Sequence, residues 1–115
     1  MSITVGEVGR EFRLSTGGFN MSTSTGLSLI FTKPDNTKLT KTEASSNPVT
    51  APAVALVNDP DLGDQAESTY FEFTSIASDF DQPGIWKVCG IYTDATRTYH
   101  TEAPAKEFTV LEACS

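Results

Sequence analysis

The stretch SDFDQPGIWKVCGIY, residues 78–92, decides the fold of this chain. It begins as a polar corner with Asp, Pro and Gly, residue types that favour turns. It continues as a run of β-branched and aromatic side chains that is typical of a strand. Trp86 opens this strand, and Val88 lies on the same face because side chains alternate along a strand. The stretch therefore predicts a corner of a β-sandwich, with Trp86 and Val88 in the core.

Similar short runs of Val, Ile, Phe, Thr and Tyr recur along the chain, separated by Gly, Pro, Asn and Asp. No segment keeps a helical period of apolar residues, so the pattern predicts an all-β fold. The runs that we interpret as strands are 2–5, 11–14, 27–32, 38–41, 53–57, 68–74, 84–93, 98–101 and 107–111. We expect an immunoglobulin-like antiparallel β-sandwich of about seven to nine short strands, with a parallel sheet disfavoured.

The most regular alternation lies in the third run. Leu27, Leu29 and Phe31 share one face of it, which predicts a central strand. The residues that follow, KPDNT at 33–37, predict a tight hairpin, because Pro presets a turn position and Asn tolerates the left-handed region. The returning run 38–41 is polar, which predicts a strand near the edge of its sheet.

The middle of the chain is less regular. Residues 42–52 are rich in Ser, Asn, Pro and Ala and predict an exposed loop, and residues 58–67 predict an acidic loop. Between residues 75 and 81 we expect one helical turn that crosses between the sheets. Ile76 and Phe80 are four residues apart, so they would both lie on the inner side of that turn.

The length of the chain limits the number of domains, and the net charge limits the classes of partner. A chain of 115 residues can bury one core, so we expect a single domain over residues 1–115 with a loop insertion at about 42–67. The net charge of −7 repels phosphate backbones and anionic lipid, so we expect neither nucleic acid nor membrane as a partner. Residues 1–7 lack the features of a secretory signal, which predicts a protein made in a cytoplasm.

Two groups of carboxylates invite a chemical interpretation. Residues 59–64, DPDLGD, carry three carboxylates, and calcium uses closely spaced oxygen ligands. The spacing departs from the EF-hand loop, however, so we favour an ordinary solvated loop. Asp79 and Asp81 have the residue type for an acid–base pair, but capping of the corner by side-chain oxygens is the favoured interpretation.

His100 is the single histidine of the chain. A zinc site or a Ser-His-Asp triad would depend on this one residue, and no nucleophile elbow, zinc-binding or phosphate-binding motif accompanies it. We interpret His100 as a surface or half-buried strand residue. The sequence thus predicts no enzyme, with no catalytic, cofactor-binding or metal-binding residues and no cofactor.

The two cysteines do not match the inter-sheet disulfide of antibody-like domains. Cys89 is adjacent to Val88, so it points away from Trp86. If the last strands return beside the Trp86 strand, Cys89 lies opposite residues 101–106, and Cys114 is beyond disulfide reach at about 3.3 Å per residue. We favour two free thiols. A crosslink between subunits through Cys114 and an internal bridge are the alternatives, and both need an oxidising setting.

Several phrases of the sequence together resemble a known group of proteins. They are ITVG at 3–6, FRL at 12–14, LIFTKPDNT at 29–37, SDFDQPGIWKV at 78–88 and EFTV at 107–110. The pattern is similar to the small β-sandwich virion proteins of tailed bacteriophages, including the N-terminal modules of baseplate upper proteins. The Pro-rich insertion at 42–67 and the cysteines depart from that pattern, so no docking surface carries over from the group.

The resemblance implies a non-enzymatic structural subunit of the virion, in the tail, baseplate or neck. Its implied partners are other virion proteins and copies of itself, and its implied location is the virion after synthesis in the host cytoplasm. Two alternatives stay open. One is a capsid decoration, or cement, protein. The other is an immunoglobulin-like module that binds a glycan or a protein through an end loop such as 58–67.

Overall fold

The computed structural model describes residues 2–101 and 106–112, and within them every regular element is a β-strand. The strands are β1 (Ser2–Thr4), β2 (Glu11–Ser15), β3 (Gly26–Thr32), β4 (Lys38–Thr42), β5 (Leu56–Asp59), β6 (Gly63–Gln65), β7 (Tyr70–Thr74), β8 (Gly84–Thr93), β9 (Thr98–His100) and β10 (Lys106–Leu111). The all-β prediction is confirmed. The described residues contain ten strands rather than seven to nine, partly because the acidic segment after residue 58 adds a strand of its own.

The strands form three sheets within the described residues. The large sheet has six strands in the order β1-β10-β8-β3-β4, with β9 also paired to β8. The β2–β7 sheet and the β5–β6 hairpin have two strands each. The expectation of purely antiparallel pairing is wrong at one place, because β1 pairs with β10 in parallel. Nearly the whole chain lies between these two strands, which is ample length for the crossover that a parallel pair needs.

β3 lies inside the large sheet, as its alternation predicts. Its neighbours are β8 and β4, and its buried residues are Leu27, Leu29 and Phe31. The predicted hairpin at 33–37 joins β3 to β4, and Asn36 takes the left-handed conformation there with φ of 69°. β4 ends the described large sheet on this side, so the edge prediction is also confirmed.

The inner faces of the large sheet and of the β2–β7 sheet meet in one hydrophobic core. Trp86 and Val88 of β8 are both buried in it, as predicted. The ring centroid of Phe12 in β2 lies 5.2 Å from that of Phe31 in β3 and 5.2 Å from that of Phe108 in β10. Aromatic rings at such separations pack in the favourable edge-to-face or tilted range. The two sheets are thus joined by aromatic contacts.

Gly90 allows the two sheets to approach each other closely. A Cβ atom placed on Gly90 would overlap the ring of Phe71, a buried residue of β7. The Phe71 ring therefore packs directly on the backbone of β8, and a larger residue at position 90 would push the sheets apart.

The corner before β8 is closed by its own side chains. The indole Nε1–H of Trp86 donates a hydrogen bond to the carbonyl oxygen of Gln82 at 2.9 Å. Gly84 has φ of 128°, a backbone conformation that disfavours other residues, and a Cβ there would meet the ring of Pro34. The corner thus depends on both Trp86 and Gly84.

The same corner packs against the β3–β4 hairpin. The sequence does not indicate this contact. Lys33 Nζ lies 3.0 Å from Asp81 Oδ2, and Gln82 Nε2 donates to Asp35 Oδ2 at 2.8 Å. Two of the phrases that carry the family resemblance are therefore in contact with each other.

The loop predicted at 42–52 is only partly exposed. Val49 is buried in the core, and Thr50 exchanges two backbone hydrogen bonds with Glu72 of β7, at 2.8 and 2.9 Å. The segment is polar overall, but this short bridge gives the β2–β7 sheet an extra partner.

The helical turn predicted between residues 75 and 81 is wrong, because this segment contains turns and no helix. The carboxylate of Asp79 accepts the N–H of Ile76 at 3.0 Å, and the N–H of Asp79 donates to the Ile76 carbonyl at 3.0 Å. This tight closure directs Ile76 to the surface, whereas Phe80 is buried as expected. The segment does connect a strand of the β2–β7 sheet to the large sheet.

Candidate interaction surface

The insertion at 42–67 does not extend freely into solvent, because its β5–β6 hairpin covers the outer face of the β2–β7 sheet. The Tyr70 hydroxyl donates to the carbonyl oxygen of Val54 at 2.8 Å, and Ser15 Oγ donates to Gln65 Oε1 at 2.9 Å. Ser15 and Tyr70 are cross-strand partners on the face of this sheet opposite Phe12. The acidic loop expected at 58–67 is therefore mostly a hairpin held against a sheet.

Arg13 is the main ionic contact between this hairpin and the sheet. Its guanidinium lies 3.2 Å from Asp59, 2.7 Å from Glu72 and 2.6 Å from Glu11. One guanidinium offers five donors, so it can bind several carboxylates at once. Asp59, a half-buried residue of β5, is thereby tied to β2 and β7.

The carboxylates of residues 59–64 serve the turn of the hairpin. Asp59 Oδ2 accepts the backbone N–H groups of Asp61 and Leu62 at 3.1 and 2.9 Å. Asp64 Oδ1 accepts the N–H of Asn58 at 2.8 Å. Side-chain oxygens of Asp commonly stabilise turns in this way. Across the described residues, the structure brings together no group of three or more His, Cys, Asp or Glu side chains arranged to hold a metal ion.

Residues 53–57, AVALV, form an exposed apolar segment, here called the apolar run. Val54 is 64% exposed and Val57 is 75% exposed, and only Leu56 within the run is half-buried. The expected strand over 53–57 is displaced, because β5 begins at Leu56. A run of five apolar residues of which four are exposed is unusual on the surface of a monomeric protein, so the apolar run is a candidate interaction surface.

The sequence carried a signal for this surface that the strand interpretation missed. In β2, for example, the buried Phe12 and Leu14 alternate with polar residues, whereas the apolar run has no polar residue on its second face. A continuous run fits a strand buried on both faces. The apolar run is exposed because the β5–β6 hairpin lies on the outside of the two-stranded β2–β7 sheet. This position is a property of the tertiary structure.

The edges of the large sheet are poor candidates for assembly. At the β4 edge, Lys38 is exposed and Lys41 points inward. Exposed charges and inward-pointing charges on an edge strand both oppose pairing with another strand. On the other side, the outer strands β1 and β9 have three residues each, and very short edge strands have the same effect. The apolar run is therefore the stronger candidate.

Lys41 and Asp79 form a buried ion pair between β4 and the segment that precedes β8. Their side chains are 10% and 1% exposed, and Asn47 bonds to both, to Lys41 Nζ at 3.1 Å and to Asp79 Oδ2 at 2.8 Å. Asp79 also accepts the Ile76 N–H, so the capping interpretation holds for Asp79. Asp81 instead forms an exposed ion pair with Lys33. The two carboxylates have different partners and do not act as one site.

The remaining candidate residues lie on strands. His100 is exposed in β9, beside its cross-strand partner Ile91. Cys89 is a half-buried free thiol on the face of β8 opposite Trp86, as predicted. Cys114 and residues 102–105 lie outside the described part of the chain.

Comparison with known proteins gives no family for this chain. The chain matches no protein-family model, and comparisons with curated proteins and with solved structures give no significant match. No helix within residues 2–101 and 106–112 is long and apolar enough to cross a membrane. The resemblance to tailed-phage virion proteins accordingly stays a prediction.

Proposed function

We propose that this protein is a non-enzymatic structural subunit of a tailed-phage virion, in the tail, baseplate or neck, that binds neighbouring virion proteins through the apolar run. The resemblance in the sequence supports the virion role. The observation that carries the assembly role is the exposure of Val54 and Val57 on a hairpin anchored to the fold by Arg13.

The proposed fold for this role is an immunoglobulin-like β-sandwich. Contacts of Phe12 in the β2–β7 sheet with Phe31 and Phe108 in the large sheet support two facing layers. The β5–β6 hairpin then forms an addition on the outside of the smaller layer. Placing the docking segment on this addition leaves the core independent of the partner.

The hairpin also limits the chemistry of the partner. Asp61 and Asp64 are exposed on the same hairpin as Val57, and the whole chain carries a net charge of −7. A partner with an apolar groove and Lys or Arg at its rim would bury the valines and complement the acidic groups. The same surface on a second copy would place like charges together. Another virion protein is therefore the expected occupant of the apolar run.

The virion role is tested on particles purified from the source of this sequence. Mass spectrometry should detect this 12.4 kDa chain, and electron microscopy should place it in the tail, baseplate or neck. Particles that lack the chain would refute the virion role. A location on the capsid surface would instead support the decoration alternative.

The docking surface is tested by the double variant Val54→Asp and Val57→Asp. A charge introduced into a buried apolar contact costs several kcal/mol, so incorporation into particles should fall at least about tenfold. The matched control is Ile85→Asp, because Ile85 is 60% exposed and lies on β8 of the large sheet, whereas the hairpin covers the β2–β7 sheet. Equal incorporation of the double variant and the control would rule out docking through the apolar run.

A further inference from the structure

Lys41, Asn47 and Asp79 bring an amine, an amide and a carboxylate together between β4 and the segment that precedes β8. Lys41 Nζ lies 2.5 Å from Asp79 Oδ1 and donates a hydrogen bond to Asn47 Oδ1 at 3.1 Å. Asn47 Nδ2 donates in turn to Asp79 Oδ2 at 2.8 Å. Each of the three side chains therefore contacts the other two, and each oxygen of the carboxylate faces a different partner.

The backbone holds Asn47 beside Lys41. After β4 the chain turns back at Thr42, whose carbonyl oxygen accepts the N–H groups of Ser45 and Val49 at 3.2 and 3.1 Å. Val49 is buried in the core, so it fixes the far end of this loop. The amide and the amine are thus neighbours because of the folded backbone, and groups held together in this way react with a high effective concentration.

The cluster is largely shielded from water. The side chains of Lys41 and Asp79 are 10% and 1% exposed, and Asn47 is half-buried. A buried ion pair has a high desolvation cost, and transfer of one proton from the ammonium to the carboxylate leaves an amine and a carboxylic acid without charge. The uncharged amine has the free electron pair that a nucleophile needs.

We propose that Lys41 and Asn47 join spontaneously through an isopeptide bond, with Asp79 as the group that moves the protons. Asp79 Oδ1 first removes one proton from the ammonium, and Nζ then attacks Cγ of Asn47. The carboxyl group gives its proton to Nδ2 as the Cγ–Nδ2 bond breaks, and it takes up the second proton that Nζ loses. The products are an amide between residues 41 and 47 and one ammonia, and the reaction needs no cofactor.

The distances fit these roles. Cγ of Asn47 is bonded to Oδ1 at about 1.2 Å, so it lies at most about 4.3 Å from Lys41 Nζ. A small rotation of either side chain brings these two atoms to the separation of about 3–3.5 Å from which reaction occurs. Asp79 Oδ2 is already within the range of about 2.6–3.2 Å for proton transfer to Nδ2. A link between Lys41 and Asp79 is the alternative, but it would consume the group that moves the protons.

The isopeptide bond closes a covalent ring over residues 41–47 and fixes the loop that follows the edge strand β4. The buried ion pair is the state before the reaction. The reaction occurs once in each chain, so it does not make the protein an enzyme. It goes beyond the proposed function and does not depend on the virion role or on docking through the apolar run.

The first test is the intact mass of the purified, folded full chain. Lys41→Arg is the reference, because arginine keeps the charge but stays protonated and cannot attack. After correction for the substitution, the wild type should be lighter than this variant by one ammonia. Digestion and tandem mass spectrometry should then give a branched peptide that joins Lys41 to Asn47. An equal corrected mass, a loss of ammonia at another asparagine, or a loss of water with a link to Asp79 would overturn the proposal.

Variants then test the role of each partner. Asn47→Ala lacks the carbon that is attacked, so it should keep the full mass of its own sequence. Asp79→Ser keeps an oxygen that can accept the Ile76 N–H but cannot take the proton, so it should keep its full mass as well. Asp81→Asn is the matched control, because this carboxylate forms the exposed pair with Lys33, and it should lose ammonia as the wild type does.

Each variant has an outcome that contradicts its assigned role. Loss of ammonia from Asn47→Ala would overturn the link between residues 41 and 47. Equally fast loss from Asp79→Ser would show that Asp79 does not move the protons. If either variant does not fold, the mass of the wild type and its linked peptide decide the outcome alone.

Discussion

Trp86 shows how much one residue contributes to this fold. The indole is fully buried, it contacts the rings of Phe80 and Phe108 at 5.6 and 6.1 Å, and its N–H reaches back to Gln82. One side chain therefore fills the core and closes the corner that leads into β8. Cys89, three residues further along β8, lies on the other face and takes no part in either role.

We expect Trp86→Ala to lower the free energy of unfolding by about 3–5 kcal/mol, because it leaves a large cavity among aromatic rings. Urea unfolding followed by circular dichroism measures this loss. Ile85→Ala, in the same strand but exposed, should change stability by less than about 0.5 kcal/mol. An unchanged stability of Trp86→Ala would mean that the two faces of β8 have been assigned in reverse.

At the scale of elements, two Lys–Asp pairs of the same chemistry join neighbouring segments at different depths. Lys41 and Asp79 tie the edge strand β4 to the segment before β8, and both are buried. Lys33 and Asp81 tie the β3–β4 hairpin to the corner, and Asp81 is 44% exposed in its side chain. We expect burial, rather than the distance between the charged atoms, to decide how much each pair contributes to the free energy of unfolding.

We expect Asp79→Asn to cost about 3–5 kcal/mol, because it leaves the Lys41 ammonium buried without its counter-charge. Asp81→Asn should cost less than about 1 kcal/mol, since water screens the exposed pair. Equilibrium unfolding of the two variants under the same conditions provides the comparison. Similar losses in both variants would contradict the assignment of the Lys41–Asp79 pair as a buried, stabilising contact.

Elements with local signals were predictable from the sequence, and elements defined by distant contacts were not. β3, its hairpin and β8 follow from alternation and from turn residues within a few positions of one another. The β5–β6 hairpin depends on contacts such as Arg13 with Asp59 and Ser15 with Gln65. These pairs are far apart in sequence, so no local pattern indicates that the hairpin covers the β2–β7 sheet.

At the scale of the whole molecule, the contact between the β3–β4 hairpin and the corner before β8 affects the stability of the protein at low pH. The hydroxyl and the N–H of Thr37, and then Gln82, donate hydrogen bonds to Asp35 and lower its pKa to about 2. The unfolded chain has a pKa of about 3.9 at such a group, so the folded state favours the ionised form. This contribution is fully present above that value and is lost as the pH falls toward about 2.

We therefore expect the stability difference between wild type and Asp35→Asn to be constant above pH about 5 and to shrink between pH about 4 and about 2. Urea unfolding at pH 7, 4 and 2 gives this difference. An NMR titration of the Asp35 carboxyl checks the cause directly. A midpoint near 4 in the folded protein would show that the hydrogen bonds from Thr37 and Gln82 do not hold the ionised form.

The sequence alone determined the all-β class, the inward faces of β3 and β8, and the turn at 33–37, because alternation and turn chemistry act between near neighbours. The tertiary structure alone decided the parallel pairing of β1 with β10 and the close approach of Phe71 to Gly90. It also decided the exposure of the apolar run. Each of these features joins residues that are distant in the chain, so it depends on how the strands pack and not on any local pattern.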